Sequence, residues 1–185
     1  MRRFLEFVRL SYKMRGGGRV DIEHYVEHYA DYLYHMAYMY TKDRFVAEEI
    51  VQDVFVKFYQ SQQFKGKASA KTYLTKMVIN KSYDYLRKEK VKRLVTLEIF
   101  QTTSKSTEFQ LIEQYEQDEI IAVILTLPVK YREVIFLYYY EQLSAVDIAT
   151  MLHVSASTVR TRLQRAREKL KSSLSETDWE VLKHE

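Results

Sequence analysis

Apolar and polar residues alternate with the period of an α-helix along most of the chain. Apolar side chains that recur every three or four positions predict a series of helices, over residues 21–40, 45–59, 70–88, 119–127, 129–140, 143–152 and 155–170. Only four Gly and one Pro occur in 185 residues, fewer turn-forming residues than a β-rich fold would need. The pattern therefore predicts an all-α fold of two small helical domains joined by a linker, the C-terminal one a helix-turn-helix.

Each of the first three predicted helices has an apolar stripe that should face a core. The stripe of the first helix is rich in tyrosine, and an aromatic stripe at helical spacing is usually buried. We expect the following side chains to point inward: Ile22, Tyr25, Tyr29, Leu33, Met36 and Tyr40 in the first helix, Val46, Ile50, Val51, Val54 and Phe58 in the second, and Tyr73, Leu74, Met77 and Val78 in the third.

The segment from Leu143 to Leu170 predicts two helices separated by a tight turn. The turn His153-Val154-Ser155 ends in a serine that is suited to cap the second helix. That helix should bury a face with spacings of four, three and four residues, formed by Val159, Leu163, Ala166 and Leu170. A short polar turn between two amphipathic helices is typical of a helix-turn-helix unit.

The opposite face of this second helix has the chemistry of a DNA-reading surface. It holds, in chain order, Ser157, Arg160, Thr161, Gln164 and Arg165. In a major groove, arginine can pair with guanine, glutamine with adenine, and threonine with a phosphate or a methyl group. The residues alone leave a second interpretation open, an ordinary surface helix with a basic face, because most charged runs are simply solvated.

Charge is unevenly distributed along the chain, although the net charge is only +4. Residues 60–93 hold ten basic and two acidic residues, a net +8, and residues 155–171 hold six basic and one acidic. Between them, residues 94–128 hold one lysine and six acidic residues, a net −5. Two basic blocks separated by an acidic block favour two nucleic-acid contacts and a connector that makes none.

The composition also bears on location. The chain has no cysteine, which excludes disulfides and thiolate metal sites and suits a reducing cytoplasm. No apolar run approaches the roughly 18 residues that span a bilayer, and residues 1–20 are too charged for a signal peptide. We therefore expect a cytoplasmic protein with a flexible N-terminal extension. A native start at Val20, read from a GTG codon, would remove residues 1–19.

Catalysis is not expected from these residues. His24 and His28 have the i, i+4 spacing of a metal-binding pair, but packing or surface roles are commoner for such a pair. The sequence contains no clustered metal-ligand motif of the kind that nuclease or recombinase chemistry would use. We therefore predict no catalytic, cofactor-binding or metal-binding residues and no small-molecule substrate.

Three segments resemble the bacterial sigma factors of the extracytoplasmic-function (ECF) group, group 4 of the sigma-70 family, and the resemblance covers residues 21–174. The first segment, AEEIVQDVF from Ala47, resembles region 2.2, whose acidic and amide face docks on the largest catalytic subunit of RNA polymerase. The resemblance implies that Glu49, Gln52 and Asp53 bind core polymerase. The residues alone favour a solvated helix face.

The second segment is FKGKASAKTYL from Phe64, continued by Asn80, Asp84 and Arg87, and it resembles regions 2.3 and 2.4. In the family this loop and helix capture a flipped base of the −10 element, a task that basic, aromatic and polar side chains suit. Tyr73 replaces the usual Trp and either stacks on a base or belongs to the core. Asp84 is favoured for an internal polar network. The resemblance implies −10 contacts by Phe64, Lys65, Lys67, Ser69, Lys71, Thr72, Tyr73, Lys76 and Asn80.

The third segment runs from Leu127 to Arg167 and resembles region 4, most specifically in TVRTRLQRAR from Thr158. The resemblance implies −35 contacts by Ser155, Ser157, Thr158, Arg160, Thr161, Gln164, Arg165 and Arg167. Two departures from the family pattern are Gln142 and His153, which stand where glycine is usual. His153 in the turn predicts a strained, positive φ.

The resemblance implies a factor that binds core RNA polymerase and promoter DNA, initiates transcription of a specific gene set and is held by an anti-sigma factor. Its parts would be an extension (1–20), a region 2-like domain (21–93), a linker (94–117), a region 4-like domain (118–174) and a tail (175–185). The alternative is a stand-alone helix-turn-helix regulator that binds its operator tightly by itself.

Overall fold

The structure, a computed structural model, describes residues 22–60, 69–99 and 119–174. The chain divides into two compact units, Met1–Arg93 and Leu94–Glu185. All regular elements in the described ranges are helical, as the sequence predicts. They are α1 (Ile22–Thr41), α2 (Arg44–Gln60), α3 (Ala70–Ile99), α4 (Glu119–Thr126), α5 (Val129–Ile135) with a π-helical turn (Phe136–Tyr140), α6 (Ala145–Leu152) and α7 (Ala156–Lys171).

The first unit packs α1 against α2, with α3 contributing to the core. A sharp turn joins α1 to α2, and the Asp43 carboxylate caps α2 by accepting hydrogen bonds from the backbone N–H groups of Phe45 and Val46 at 2.9 and 3.1 Å. The core is formed by Val26, Ala30, Leu33, Met36, Ala37, Tyr40, Ala47, Ile50, Val51, Val54, Phe55, Phe58, Leu74 and Val78, among others.

The predicted inward stripe of α1 is buried at Ile22, Leu33, Met36 and Tyr40, whereas Tyr25 and Tyr29 meet the prediction only in part. Tyr25 and Tyr29 are half-buried, and the fully buried positions beside them are Val26 and Ala30. A phenol hydroxyl needs a hydrogen-bond partner or water when the ring packs. Small residues such as Ala30 instead allow the helices to approach closely. Val46, Tyr73 and Met77, also predicted to point inward, are likewise only half-buried.

Helix α3 is longer than the sequence pattern indicates. Apolar periodicity predicts an end near residue 88, and residues 94–117 were expected to form a linker, but the helix continues to Ile99. The last buried side chain described in α3 is Ser82, and those of Lys88 and Lys90 are exposed. Residues 70–99 contain neither Gly nor Pro, so no strong helix breaker interrupts α3.

The second unit is built around α5 and α7. Arg132, on α5, is buried and donates to the carbonyl of Leu125 at 3.0 Å, which ties α5 to α4. The predicted single helix over 129–140 changes to π-helical geometry at Phe136, and the N–H of Glu141 donates to the Phe136 carbonyl at 3.1 Å. The wider turn is followed by a positive φ of 51° at Gln142.

The helix-turn-helix is confirmed in detail. Ser144 caps α6 by accepting from the N–H of Asp147 at 3.1 Å, and Ser155 caps α7 by accepting from the N–H of Thr158 at 3.1 Å. His153 between them has φ 55° and ψ 43°, the left-handed conformation that the sequence predicts. Among the described residues, no helix combines the length and apolarity needed to cross a membrane.

Candidate nucleic-acid and polymerase interfaces

Helix α7 presents one face to its own unit and the other to solvent. The four side chains predicted to be buried, Val159, Leu163, Ala166 and Leu170, all are. On the opposite face the five predicted polar side chains are all exposed, namely Ser157, Arg160, Thr161, Gln164 and Arg165. The structure therefore brings two guanidinium groups, an amide and two hydroxyls together on one solvent-facing strip.

The N-terminal turn of α7 is held by hydroxyl groups. The Ser155 Oγ lies 2.8 Å from both the Ser157 Oγ and the Thr158 Oγ1. Thr161 Oγ1 donates to the Ser157 carbonyl at 3.0 Å, and the Gln164 amide donates to Glu168 at 3.1 Å. Of the predicted −35 residues in this turn, Ser155 and Ser157 are exposed, whereas Thr158 is half-buried and belongs to the cap.

Two further arginines of α7 face the unit itself. Arg162 donates from Nη1 to the Oε1 of Glu133 on α5 at 2.8 Å, and the Glu133 side chain is only 1% exposed. Arg167 donates from Nε to the Tyr139 hydroxyl at 2.7 Å and lies 5.5 Å from the ring centroids of Tyr138 and Tyr139. The structure thus places Arg167, a predicted −35 residue, half-buried against the π-helical turn.

Sequence reasoning missed both of these contacts. Glu133 is 29 residues from Arg162, and Tyr139 is 28 residues from Arg167. Neither pairing leaves a signal in helical periodicity. Helical spacing did indicate one thing about these arginines. Arg162 and Arg167 flank the buried stripe of α7 rather than lying opposite to it, which favours contacts with their own unit.

The described residues among those predicted to contact the −10 element lie from Ser69 to Asn80, at and within the first three turns of α3. Ser69 caps the helix by accepting from the N–H of Thr72 at 3.1 Å, and their hydroxyls lie 2.7 Å apart. The Lys71 ammonium lies 4.4 Å from the Tyr32 ring centroid. Lys71, Thr72 and Asn80 are exposed, whereas Lys76 is half-buried. Phe64, Lys65 and Lys67 lie outside the described residues.

Tyr73 occupies an intermediate position. It is half-buried, and its ring centroid lies 6.0 Å from that of Phe58 in the core. One part of the ring therefore packs and another part reaches solvent. Farther along α3, Asp84 and Arg87 pair with each other at 3.2 Å, with 59% and 76% of their side chains exposed. This contact is a surface pair rather than a buried network, so the structure does not bear out the internal role favoured for Asp84.

The predicted polymerase-binding residues lie together on α2. Glu49 and Asp53 are exposed and Gln52 is half-buried. Asp53 also accepts from the Lys81 ammonium at 2.7 Å, an ion pair between α2 and α3 that the sequence pattern did not reveal. Because the Lys81 side chain is 39% exposed and that of Asp53 is 54% exposed, solvent screens the pair, which contributes little stability and leaves Asp53 accessible.

His24 and His28, which have the spacing of a metal-binding pair, contact each other along α1. His28 Nδ1 lies 2.8 Å from the carbonyl of His24, an ordinary i, i+4 contact. In the described part of the chain, no three His, Cys, Asp or Glu side chains are arranged to hold a metal ion. Burial lowers the pKa of His35 below its usual 6.5, and the nearby Asp31 carboxylate partly opposes that shift.

Two family models match the chain, one in each unit. Residues 25–91 match sigma-70 region 2 and residues 117–170 match sigma-70 region 4. The chain belongs to the sigma-70 family of transcription initiation factors. Within that family it is a sigma factor of the ECF type, as its relatives indicate.

Two of these relatives come from Bacillus subtilis strain 168. The ECF sigma factor SigW is 29% identical over 161 residues, covering 80% of this chain and 86% of the relative. SigV is 28% identical over 153 residues, covering 82% and 89%. The sigma factor RpoE of Bartonella quintana, solved in complex with the anti-sigma factor NepR, has a similar fold, with a TM-score of 0.65, 21% identity, and coverage of 82% of this chain and 95% of that chain.

Membership of the sigma-70 family defines the activity of this chain. A sigma factor binds core RNA polymerase, recognises promoter elements and initiates transcription from them, and this chain is such a factor. The stand-alone regulator that the residues left open is therefore set aside.

Proposed function

We propose how individual residues of this sigma factor divide the work of promoter recognition. The N-terminal half of α7 reads the −35 element, the segment from Phe64 to Asn80 captures the −10 element, and Glu49, Gln52 and Asp53 bind core polymerase. The observation that carries the proposal is the exposed strip of α7, which is polar and basic along its whole length and backed by four buried apolar residues.

The −35 contact follows from the geometry of that strip. A recognition helix enters the major groove with its N-terminal residues nearest the base edges. Arg160 and Gln164 are one helical turn apart and both exposed, so each can reach a base edge, arginine toward guanine and glutamine toward adenine. Ser155, Ser157, Thr161 and Arg165 flank them and would bind phosphates. Thr158 would act through the helix cap, and Arg167 would reach DNA only by leaving Tyr139.

The −10 contact rests on the start of α3. Exposed Lys71, Thr72 and Asn80 lie on the same helix as the half-buried Tyr73. Lysines that follow a backbone and an aromatic ring that stacks on an unpaired base are the usual means of holding single-stranded DNA. We assign Tyr73 to that ring contact, with Ser69 as the helix cap and Lys76 as a phosphate ligand. Phe64, Lys65 and Lys67 belong to the loop that would precede it.

The remaining partners follow from the class of protein. Core RNA polymerase would supply the phosphodiester chemistry, so this chain would act without catalysis, cofactor or small-molecule substrate, in the cytoplasm. An anti-sigma factor is a further proposed partner, supported by the RpoE relative, which was solved with one. The acidic segment 94–117 would occupy polymerase channels that later hold nucleic acid, because its charge disfavours binding to DNA.

The −35 assignment is tested with base substitutions in the promoter. Run-off transcription by the holoenzyme is measured on promoters with each −35 base varied, using the wild-type chain, Arg160→Ala and Gln164→Ala. Each variant should lose discrimination at one base pair, by about 1–3 kcal/mol. The matched control is Lys171→Ala, an exposed cation of the same helix near its C-terminal end, which should leave discrimination unchanged. Equal losses for all three variants would refute the assignment.

A further inference from the structure

Tyr32 of α1 contacts the first turns of α3 at two points. Its ring centroid lies 4.4 Å from the Lys71 ammonium, and its hydroxyl oxygen lies 2.9 Å from the Oγ1 of Thr75. Tyr32 is half-buried and Thr75 is buried, whereas Lys71 is exposed. One side chain of the first helix therefore touches α3 both at a core position and at a solvent-facing cation.

A short chain of hydrogen bonds holds the Tyr32 ring in place. Thr75 Oγ1 donates to the backbone carbonyl of Lys71 at 2.7 Å, and a hydroxyl has a single proton to donate. The Tyr32 hydroxyl is therefore the donor to Thr75, a residue only 1% exposed, so water competes little for this bond. The ring is thus tied to the backbone of the residue whose ammonium it contacts.

This contact changes what Lys71 can do when DNA binds. A lysine side chain has many rotamers, and ordering them on binding reduces affinity. An ammonium over the face of an aromatic ring is attracted by the ring quadrupole, so the Tyr32 ring restricts these rotamers before DNA arrives. Because Lys71 is exposed in this position, a phosphate can approach the ammonium while the ring still holds it.

We propose that Tyr32 is a positioning residue for capture of the −10 element, whose ring holds the Lys71 ammonium ready for a backbone phosphate of the unpaired strand. The proposal rests on the proposed −10 contact of Lys71. It adds a residue of α1, outside the segment from Phe64 to Asn80 to which that contact is assigned. Tyr32 acts through Lys71 and need not touch DNA itself.

The experiment measures the affinity of the holoenzyme, core polymerase with the full-length chain, for a fluorescently labelled oligonucleotide. The oligonucleotide is the non-template strand of the −10 region of a promoter at which the wild-type holoenzyme initiates. Tyr32→Leu should raise Kd about three- to ten-fold, the factor expected when one long side chain must be ordered on binding. Tyr32→Phe keeps the ring and should retain most of the affinity; a loss equal to that of Tyr32→Leu would refute a role for the ring.

A double-mutant cycle with Lys71→Met separates positioning from a general role in the fold. If Tyr32 acts through Lys71, adding Tyr32→Leu to Lys71→Met should change Kd by less than about two-fold. A contribution of Tyr32 only to the packing of α1 on α3 would weaken binding equally in both backgrounds, which would overturn the proposal. Tighter binding by Tyr32→Leu alone would also overturn it, because the ring would then hold Lys71 away from DNA.

Lys71→Met by itself tests the proposed −10 contact. It should weaken binding and reduce the slope of log Kd against log salt concentration by about 0.7, the value for one phosphate of a single strand. If Lys71→Met binds like the wild type, the proposed contact and the role of Tyr32 both fail. If Lys71→Met weakens binding and Tyr32→Leu does not, only the role of Tyr32 is wrong. The matched control is Tyr38→Leu, which removes another half-buried tyrosine of α1, stacked on Tyr34, and should leave Kd unchanged.

Discussion

The ion pair between Glu133 and Arg162 should be the strongest single tie between α7, the helix proposed to read the −35 element, and α5. Its atoms are 2.8 Å apart, and the Glu133 side chain is 1% exposed. Removing one partner of a fully buried pair typically costs about 3–5 kcal/mol. Arg162 is 23% exposed, so water partly screens this pair, and we expect Arg162→Ala to cost about 2–3 kcal/mol, below that buried range and above the value of an exposed pair.

Amide hydrogen exchange in the full-length chain measures this cost directly, because it reports the free energy of local opening. The protected amides of α7 around Leu163 and Ala166 should exchange roughly 30- to 150-fold faster in Arg162→Ala, the factor that corresponds to 2–3 kcal/mol. Arg160→Ala removes the same side chain from the exposed face of the same helix and should change exchange little. If the two variants accelerate exchange equally, the structural role assigned to the pair is wrong.

Three further predictions concern the turn and the first unit. His153→Gly should stabilise the second unit by about 1 kcal/mol, measured as slower α7 exchange, because glycine adopts the left-handed conformation without the cost that His153 carries; faster exchange would contradict this. Ser155→Ala should destabilise the same helix by about 1 kcal/mol through loss of the cap to Thr158, and Ser173→Ala, near its other end, serves as control. The pKa of His35 is lower in the folded state than the usual 6.5, so the unfolded state binds a proton more readily. The neutral His35 side chain therefore contributes fully to stability above pH 6.5, and this contribution is lost as the pH falls below that value. Urea unfolding at pH 7 and pH 5 should therefore show a smaller loss on acidification for His35→Gln than for the wild type, and identical losses would contradict the assignment.

Local sequence patterns were sufficient for the features that depend on local physics. The buried and exposed faces of α7 follow from helical spacing, and the cap at Ser155 follows from a short polar side chain before an apolar run. The positive φ of His153 was predicted from a residue standing where the family has glycine. These features involve neighbours within four residues, so periodicity and capping rules reach them.

Features that depend on distant partners were not predictable in this way. Nothing in the pattern around Asp53 indicates Lys81, 28 residues away, and nothing around Arg167 indicates Tyr139. None of the side chains described between Tyr83 and Lys92 is buried, so apolar spacing did not reveal the continuation of α3 beyond residue 88. In the candidate site the family resemblance predicted that Arg167 contacts DNA, whereas its placement depends on a π-helical turn that helical spacing does not anticipate.

The measurement that tests the central claim most directly is run-off transcription with bacterial core RNA polymerase on a mixed promoter library, with and without this protein. We predict transcripts that depend on the protein and whose start sites share two upstream elements, with little specific DNA binding by the protein alone. No protein-dependent transcript, combined with tight specific binding of the isolated protein to duplex DNA, would contradict the account.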